Sequence, residues 1–354
     1  MHSSPVPRAF SYGTRATRIV FGVGALDGLD AELQAMGAHR VLVVSTGGRS
    51  RDLDDVRAVL GARVIEVFTG ARQHVPVEVV RAALDVVRTT TPDSVLSLGG
   101  GSAIGLGKAI ARETSLPHAC VPTTYAGSEM TSIWGTSEGR VKQTGRDARV
   151  APQLVVYDPA LTVTLPPATS AASGMNAIAH AVEALYAADA SPVSSLCAED
   201  GLRRLAQSLP IVVGNPGNIS ARVDVLIGAH LCACALDLTT MGLHHKLCHA
   251  LGGIGLAHAE THAAVLPYVV GFNAPAAADA MRRIAEALGA PSATAGLFAL
   301  SETLGTRRSL AELGLLEADI APVAMATSAA SRGNPRPVTE DDVRDLLVRA
   351  LHGD

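Results

Sequence analysis

Five of the twelve histidines in this 354-residue sequence lie in one short run, residues 242–262, which reads GLHHKLCHALGGIGLAHAETH. His245 and His249 are four residues apart, so a helix would place both on one face. His258 and His262 follow, after a pair of glycines that ends the helix or lets another backbone approach. Converging imidazoles serve metal sites and proton relays, whereas the alternative is a set of core histidines bonded to backbone carbonyls.

A second polar pair, Asn176 and His180, has the same four-residue spacing in the segment SGMNAIAHAVEALY. The rest of that segment is mostly apolar, which is typical of an amphipathic helix. Two helices that each present a polar pair from an apolar face can line one pocket. We therefore predict a site that combines this pair with the histidines of residues 242–262.

A glycine-rich turn separates a predicted strand from a predicted helix in SVLSLGGGSAIGLGKAIA. Gly99, Gly100 and Gly101 let the backbone approach a diphosphate, and Ser102 is placed to cap the helix whose N-terminus attracts the anion. The spacing fits neither the Walker sequence nor GxGxxG. The alternative is a packing turn of an α/β domain.

A second polar turn, PTTYAGSE at residues 122–129, follows the next predicted strand. Loops after parallel strands gather at one edge of a sheet, where nucleotides bind. Thr123, Thr124 and Ser128 are therefore expected to form hydroxyl hydrogen bonds with a cofactor. Two such loops side by side favour a dinucleotide over a single phosphate.

Strand patterns alternate with amphipathic helix patterns in the first half of the chain, which predicts a doubly wound parallel sheet. Two short strands at the start, 10–12 and 18–21, could pair as a hairpin. The further predicted strands are 40–45, 63–68, 94–98 and 118–123, with a last one within 145–158, and the predicted helices are 51–60, 77–88 and 103–113.

From residue 170 onward the pattern is almost entirely helical. We thus predict an N-terminal α/β domain with a parallel sheet that binds a dinucleotide at residues 1–160. An all-helical substrate and catalytic domain follows at residues 161–354. The cleft between the two is the expected active site.

The composition argues against several classes of function. A net charge of −4 gives no reason to expect nucleic acid or an anionic membrane as a partner. The first eight residues lack the apolar core of a signal peptide, and no apolar run is expected to cross a bilayer. The five cysteines include no CxxC pair, so we expect a cytoplasmic protein without disulfides or a cysteine zinc site.

Several motifs, read together, resemble the iron-containing alcohol dehydrogenase superfamily, and most of all its maleylacetate reductase branch. They are GGGSAIGLGKAIA, PTTYAGSEMTSIWG, VKQTGRD, YDPALT, SGMNAIAHAVEALYA, GLHHKLCHALGG and HAETH. The resemblance implies a Rossmann-like domain, a helical domain and commonly a homodimer. It also implies a small carboxylate substrate: NADH or NADPH would reduce the 2-enoate double bond of maleylacetate, giving 3-oxoadipate in bacterial breakdown of hydroxyquinol-type aromatics.

The resemblance also assigns roles to individual residues. Metal-binding members of the superfamily use an aspartate and three histidines, which correspond here to Asn176, His180, His245 and His258. His249 matches a histidine that relays protons in the family. We expect these five residues to be catalytic. Because asparagine lacks the negative charge of the aspartate, we also expect that no metal is essential. The chain departs from the family by one missing residue between His249 and His258, and by SAASRG before NPRP, where relatives often carry an aromatic residue.

Hydride transfer needs a proton source for the charge that develops on the substrate. The histidine cluster is expected to bind a carboxylate or carbonyl oxygen and to donate that proton. Lys142 and Arg146 are expected near cofactor or substrate oxygens, or else in a solvated loop. Trp134 is expected either to line the pocket or to be an ordinary core residue.

The strand predicted to end at Ser45 has no acidic residue near it to select the ribose of NADH, and Arg49 and Arg51 would accept the extra phosphate of NADPH. We therefore expect weak discrimination between the two coenzymes. Two other functions stay open on the same fold. One is a tailoring reductase of secondary metabolism, and the other is a non-redox cyclase or lyase that keeps the coenzyme site as a relic.

Overall fold

A computed structural model of the chain describes residues 10–48, 50–139, 141–306, 308–331 and 333–353, and only the backbone of Ser50 and Val141. These residues divide into two compact units. The α/β unit spans Arg15–Leu165, and the helical unit contains the described residues from Pro166 onward together with residues 10–14. The break falls a few residues after the predicted one at residue 160.

The α/β unit is built on a six-stranded sheet in which each strand runs parallel to its neighbours. The strands of the unit are β1 Arg18–Phe21, β2 Val41–Val44, β3 Val64–Phe68, β4 Ser94–Gly99, β5 His118–Pro122, β6 Ile133–Glu138, β7 Val141–Arg146 and β8 Leu154–Tyr157. The sheet order is β1-β8-β5-β4-β2-β3, while β6 and β7 form an antiparallel hairpin. The helices are α1 Leu29–Ala35, α2 Ser50–Leu60, α3 Val77–Thr90 and α4 Gly101–Thr114.

Burial explains why the central strands read as continuous apolar runs. All residues of β2, β4, β5 and β8 are buried. Val41 and Val43 pack into the apolar cluster on one face of the sheet, and Leu42 and Val44 pack into the cluster on the other. Side chains alternate between the faces of a strand, so a sheet covered on both faces needs apolar residues at every position. The predicted parallel sheet is confirmed.

The structure departs from the strand predictions in two places. Arg18–Phe21 is a strand, but it pairs in parallel with β8 and forms no hairpin with residues 10–12, which have no regular structure. The β6–β7 hairpin is an addition, since no strand was predicted between residues 123 and 145. Polar and glycine residues interrupt the apolar alternation in both strands of that hairpin, so its strand signal is weak.

The helical unit contains α5 Pro167–Tyr186, α6 Pro192–Gly214, α7 Ile219–Leu238, α8 Leu243–Gly253, α9 His258–Asn273, α10 Ala278–Leu288, α11 Ala293–Thr303, α12 Glu317–Ala330 and α13 Glu340–His352. Small residues allow close packing at its centre. A Cβ atom on Gly201 of α6 would lie 2.9 Å from the carbonyl oxygen of Gly228 on α7. The two backbones therefore touch where a larger residue would hold them apart.

One helix corrects the expectation that no apolar run is long enough to cross a bilayer. Ile219–Leu238 passes that test by length and composition, and 56% of its apolar window is buried inside the protein. Core helices of globular proteins pass the same test, and α7 packs against α5 and α6. Its length alone is weak evidence for a membrane span.

Candidate active site

Three helices of the helical unit bring the predicted site residues together. Asn176 and His180 lie on α5, His245 and His249 lie on α8, and His258 begins α9. The centroids of neighbouring imidazole rings are 5.1 Å apart for His180 and His245, 6.5 Å for His245 and His249, and 6.4 Å for His249 and His258. The four histidines therefore form a chain of adjacent rings, while their catalytic roles stay a prediction.

The inner end of this chain is buried. Asn176, His180 and His245 expose only 4%, 4% and 6% of their surface, whereas His249 and His258 are half-buried. Within the described residues, Asn176 Oδ1 and His180 Nδ1 are buried and make no hydrogen bond. A buried polar atom without a partner costs about 1–3 kcal/mol, so these atoms are suited to a polar ligand or an ordered water.

Glu183, which the sequence analysis did not single out, organises the site. It lies one turn after His180 on α5 and is fully buried. Its carboxylate lies 2.6 Å from Nδ1 of His245 and accepts the backbone N–H groups of Gly242, His244 and His245 at 3.2, 2.9 and 3.2 Å. Those amides belong to the start of α8, where Gly242 provides no side-chain cap. Glu183 therefore caps α8 from a neighbouring helix.

This contact fixes the tautomer of His245. Because Nδ1 faces a carboxylate, it carries a hydrogen, and Nε2 is left to address a ligand. Burial raises the pKa of Glu183, while the nearby His244 and the three amide donors lower it. The signal that could have revealed Glu183 is its position in HAVEA, three residues after a site histidine on the same helical face.

Three more buried side chains lie next to His245. Nε2 of His244 is 3.0 Å from Nδ1 of His262, and 3.7 Å from Sγ of Cys248. Burial lowers the pKa of His244 to about 3 and that of His262 well below its usual value. The pKa of His180 is lowered in the same way, with the neighbouring His245 as a second cause. These three histidines are therefore neutral at pH 7.

The buried neutral histidines predict a loss of stability in mild acid. Unfolding lets His244 bind a proton below its ordinary pKa near 6.5, whereas the folded state resists protonation until about pH 3. The stability is at its full value above the pKa that the group has in the unfolded chain. Below that pKa only the unfolded chain binds the proton, so the unfolding free energy falls as the pH drops. Between pH 7 and pH 5 the wild type should lose roughly 2 kcal/mol more unfolding free energy than a His244→Gln variant. Denaturant titrations at both pH values measure this, and equal losses would contradict it.

In the α/β unit the glycine-rich turn follows β4 and leads into α4. Gly99 has a φ of +139°, which other residues rarely adopt, and a Cβ on Gly100 would lie 2.7 Å from the Thr124 side chain. The helix begins at Gly101, and Gly100 gives it no side-chain cap, so its first N–H groups suit an anion. Ser102 lies inside the first helical turn, and its predicted capping role is wrong.

Packing accounts for part of the same glycine motif. A Cβ on Gly107 would lie 2.1 Å from Ser97 Oγ and 2.4 Å from Nε2 of His118. Gly107 therefore lets α4 lie directly against β4 and β5. The packing alternative holds for this glycine, whereas Gly99 and Gly100 shape the turn itself.

The second polar turn lies beside the first. The N–H of Thr123 donates to the carbonyl oxygen of Gly99 at 3.0 Å, and the Thr124 side chain faces Gly100. Thr123 is fully buried, and its hydroxyl makes no hydrogen bond within the part of the chain that the structure describes. Ser128 is half-buried at the start of a 3-10 turn. The two loops are neighbours as predicted, and coenzyme binding there stays a prediction.

The predicted cations and the tryptophan lie on the β6–β7 hairpin. Lys142 is half-buried, and Arg146 is exposed opposite Ile133. Both cations belong to a strand and not to a loop, but Arg146 is exposed to solvent as the alternative supposed, and a place near cofactor or substrate oxygens stays a prediction for both. Trp134 packs under the guanidinium of Arg112, which lies 3.9 Å from its ring centroid. This stacking gives Trp134 a packing role within the α/β unit.

The donor set assigned by resemblance does not fit a metal in this arrangement. Asn176 supplies a neutral oxygen at the position where the resemblance implies a carboxylate ligand. Among the described residues, the one group of three histidine, cysteine or acidic side chains whose donor atoms lie within 4.8 Å of one another is His244, Cys248 and His262. His180, His245 and His258 do not converge to that extent. The expectation that no metal is essential stays a prediction.

Comparison with known proteins agrees with the geometry. The family description "Iron-containing alcohol dehydrogenase" matches residues 16–159, and "Fe-containing alcohol dehydrogenase family, C-terminal" matches residues 170–351. A maleylacetate reductase from Burkholderia cepacia is 48% identical over 346 residues, which covers 98% of both chains. A second one, from Sphingobium indicum, is 45% identical and covers 97% of this chain and 98% of its own.

Solved structures show the same similarity. The crystal structure of maleylacetate reductase from Agrobacterium tumefaciens has a TM-score of 0.92 and 44% identity, and the alignment covers 98% of this chain and 99% of that chain. The structure of maleylacetate reductase from Rhizobium sp. strain MTP-10005 gives the same values. The similarity therefore covers nearly the whole of each chain.

Proposed function

Because the chain belongs to the iron-containing alcohol dehydrogenase family, we propose that this oxidoreductase is an NAD(P)H-dependent reductase that converts maleylacetate to 3-oxoadipate. The observation that carries the proposal is the near-complete alignment with maleylacetate reductases at 42–48% identity. The chain of histidine rings beside Glu183 supports it, since the reaction needs a proton donor.

The proposed mechanism divides the chemistry between the two units. The glycine-rich turn and the Thr124 loop would bind the coenzyme, which supplies a hydride when bound. Maleylacetate is an enoate conjugated to a ketone, so a C–H bond formed at the alkene carbon β to the ketone moves charge onto the ketone oxygen. His245, protonated on both ring nitrogens and held through its Nδ1–H by Glu183, would donate a hydrogen bond and then a proton from Nε2 to that oxygen. His249 would resupply the proton, and the enol product then becomes the saturated ketone.

The direct test mixes purified protein, NADH or NADPH, and maleylacetate, and follows oxidation of the coenzyme together with formation of 3-oxoadipate. We expect this rate to exceed by far the rate of NAD reduction with simple alcohols. A preference for alcohol oxidation, or for an unrelated enoate or ketone, would reject the substrate. Coenzyme binding without any redox turnover would favour the non-redox alternative.

We predict that the enzyme discriminates weakly between NADH and NADPH. Ser45 at the end of β2 donates its hydroxyl to the carbonyl oxygen of Leu98 at 2.8 Å, so this hydroxyl is engaged in the fold. Arg51 begins the exposed face of α2, and Arg49 lies outside the described residues. Comparison of kcat/KM for both coenzymes measures the preference. A ratio beyond about a hundredfold in favour of NADH, roughly 2.7 kcal/mol, would contradict this prediction.

We predict that turnover survives complete removal of divalent metal. Asn176 is neutral at the position that corresponds to the aspartate ligand of metal-binding members, so a dication would bind there more weakly. An enoate conjugated to a ketone can be activated by histidine N–H groups alone. Activity should be unchanged after exhaustive chelation, with the metal content of the active enzyme measured in parallel. Activity that is lost on chelation and restored by iron or zinc alone would contradict this prediction.

We also propose a homodimer in the cytoplasm. None of the five cysteines, all of which lie in described residues, forms a disulfide, which suits a reducing compartment. β1 is an edge strand of the sheet. Phe21 at the end of β1 is 36% exposed, and Val23, two residues further along the chain, is 59% exposed. An edge of this kind supports pairing with a second copy. Light scattering coupled to size-exclusion chromatography would measure the mass, and a monomer would reject the dimer.

A further inference from the structure

A cluster of three side chains outside the predicted active-site set has the arrangement of metal ligands. His244 and Cys248 are four residues apart on α8, so they share one face of that helix, and His262 meets them from α9. All three are buried, with 0%, 1% and 0% exposure. Their donor atoms lie within 4.8 Å of one another.

Two of the three distances between the donors are close to those around a tetrahedral ion. Nε2 of His244 is 3.0 Å from Nδ1 of His262 and 3.7 Å from Sγ of Cys248. Around a tetrahedral Zn²⁺, with metal–nitrogen bonds of about 2.05 Å and a metal–sulfur bond of about 2.3 Å, these separations would be about 3.3 and 3.6 Å. Small side-chain adjustments are therefore enough to seat an ion.

We propose that His244, Cys248 and His262 bind one divalent cation that prefers nitrogen and sulfur ligands, such as Zn²⁺. Two imidazoles and one thiolate are donors that Zn²⁺ selects over Mg²⁺ or Ca²⁺. None of the three is among the residues that the family resemblance assigns to metal or to catalysis. The alternative to a bound ion is a set of hydrogen bonds among the three side chains, between the two imidazoles and from the Cys248 thiol to His244.

The charges near the cluster can balance a dication. Binding converts the Cys248 thiol to a thiolate and releases its proton to solvent, so the ligands contribute one negative charge. The carboxylate of Glu183 accepts the backbone N–H of His244 at 2.9 Å and contributes a second negative charge close by. Two negative charges beside a dication avoid an uncompensated buried charge.

Such an ion would join the start of α8 to α9 next to His245. The expected consequence is a more stable helical unit, because a ligand that binds only the folded state raises the unfolding temperature. The site would also hold His244 in place, one residue from the histidine that Glu183 orients. This inference does not rest on the proposed reaction, so its failure would leave the proposed function untouched.

Cobalt(II) provides a direct probe because a cysteine ligand adds a thiolate-to-cobalt absorption band in the near ultraviolet. The full-length protein would be treated with chelator and titrated with Co²⁺. We expect one equivalent to bind with that band and a rise in unfolding temperature. Cys248→Ser should abolish the band and weaken binding at least about a hundredfold, since loss of outer-shell partners alone costs 10–100-fold. His262→Gln is expected to weaken binding while the thiol remains.

Two matched variants make the result decisive. Cys197→Ser changes a half-buried cysteine on α6 of the same unit and should keep the band. His258→Gln changes a residue of the family's metal position and should also keep it. The proposal is overturned if folded wild-type protein binds no cobalt or binds it without the thiolate band. It is also overturned if the band survives in Cys248→Ser, or if binding depends on His258 and not on His262.

Discussion

Replacing His245 with alanine is expected to lower kcat for maleylacetate reduction on the order of 10²-fold or more, the usual contribution of a general acid. His245 is the histidine that Glu183 orients, with Nδ1 2.6 Å from the carboxylate and Nε2 left to face the substrate oxygen. Alanine removes the proton donor and leaves the enolate charge without a hydrogen bond. His249→Ala should produce a loss of similar order if His249 resupplies the proton.

The affinity for coenzyme separates this effect from a general loss of folding. The predicted coenzyme loops belong to the α/β unit, so the Kd for NADH, measured by fluorescence, should be unchanged in His245→Ala. His352, which is exposed at the end of α13, provides a control, and its alanine variant should keep the wild-type kcat. A His245→Ala variant with kcat within about threefold of wild type would contradict the role, because general-acid loss costs far more.

The alternation of strands and helices was predictable because each central strand is buried on both faces. β2, β4, β5 and β8 carry short apolar runs, and helices follow β2 and β4 at intervals typical of a parallel sheet. Pairing at the sheet edge was not predictable in the same way. Arg18 pairs with Leu154, and no local signal couples two segments so far apart in the chain. Residues 10–12 and 18–21 are close in the chain, which suggested a hairpin, but β1 pairs instead with the distant strand β8.

The histidines of the site were predictable because helical spacing is local. Four-residue separations place His245 near His249 and Asn176 near His180, and the structure shows these on α8 and α5. Spacing places Glu183 on the same helical face as His180, but spacing alone does not show which groups its carboxylate binds. Its partners lie 59 to 62 residues further along the chain, so only the packing of α8 against α5 reveals its role.

Loss of the Glu183 carboxylate is expected to affect stability and catalysis together. Glu183→Ala would leave three amide N–H groups at the start of α8 and the Nδ1–H of His245 without their acceptor in a buried place. Removing one partner of a buried pair costs about 3–5 kcal/mol, so the unfolding free energy should fall by that amount. Denaturant unfolding of the variant and the wild type at pH 7 measures the difference.

Glu183→Gln tests orientation with less damage to the fold. Glutamine keeps the shape but is neutral and offers one accepting oxygen in place of two. Oε2 faces Nδ1 of His245 and the amides of Gly242 and His245, while Oε1 faces the amide of His244. In either orientation the NH₂ group therefore opposes an N–H donor, and the negative charge that holds a protonated His245 is lost. The kcat of the variant should fall about 10–100-fold, the usual cost of losing a partner that orients an active group, while the Kd for coenzyme stays unchanged. The control is Glu199→Gln, which removes an ion pair with Arg283 on partly exposed helices and should cost at most about 1 kcal/mol. A Glu183→Gln enzyme with wild-type kcat would show that the carboxylate is not needed to set the tautomer of His245, and the capping of α8 would then be the whole of its role.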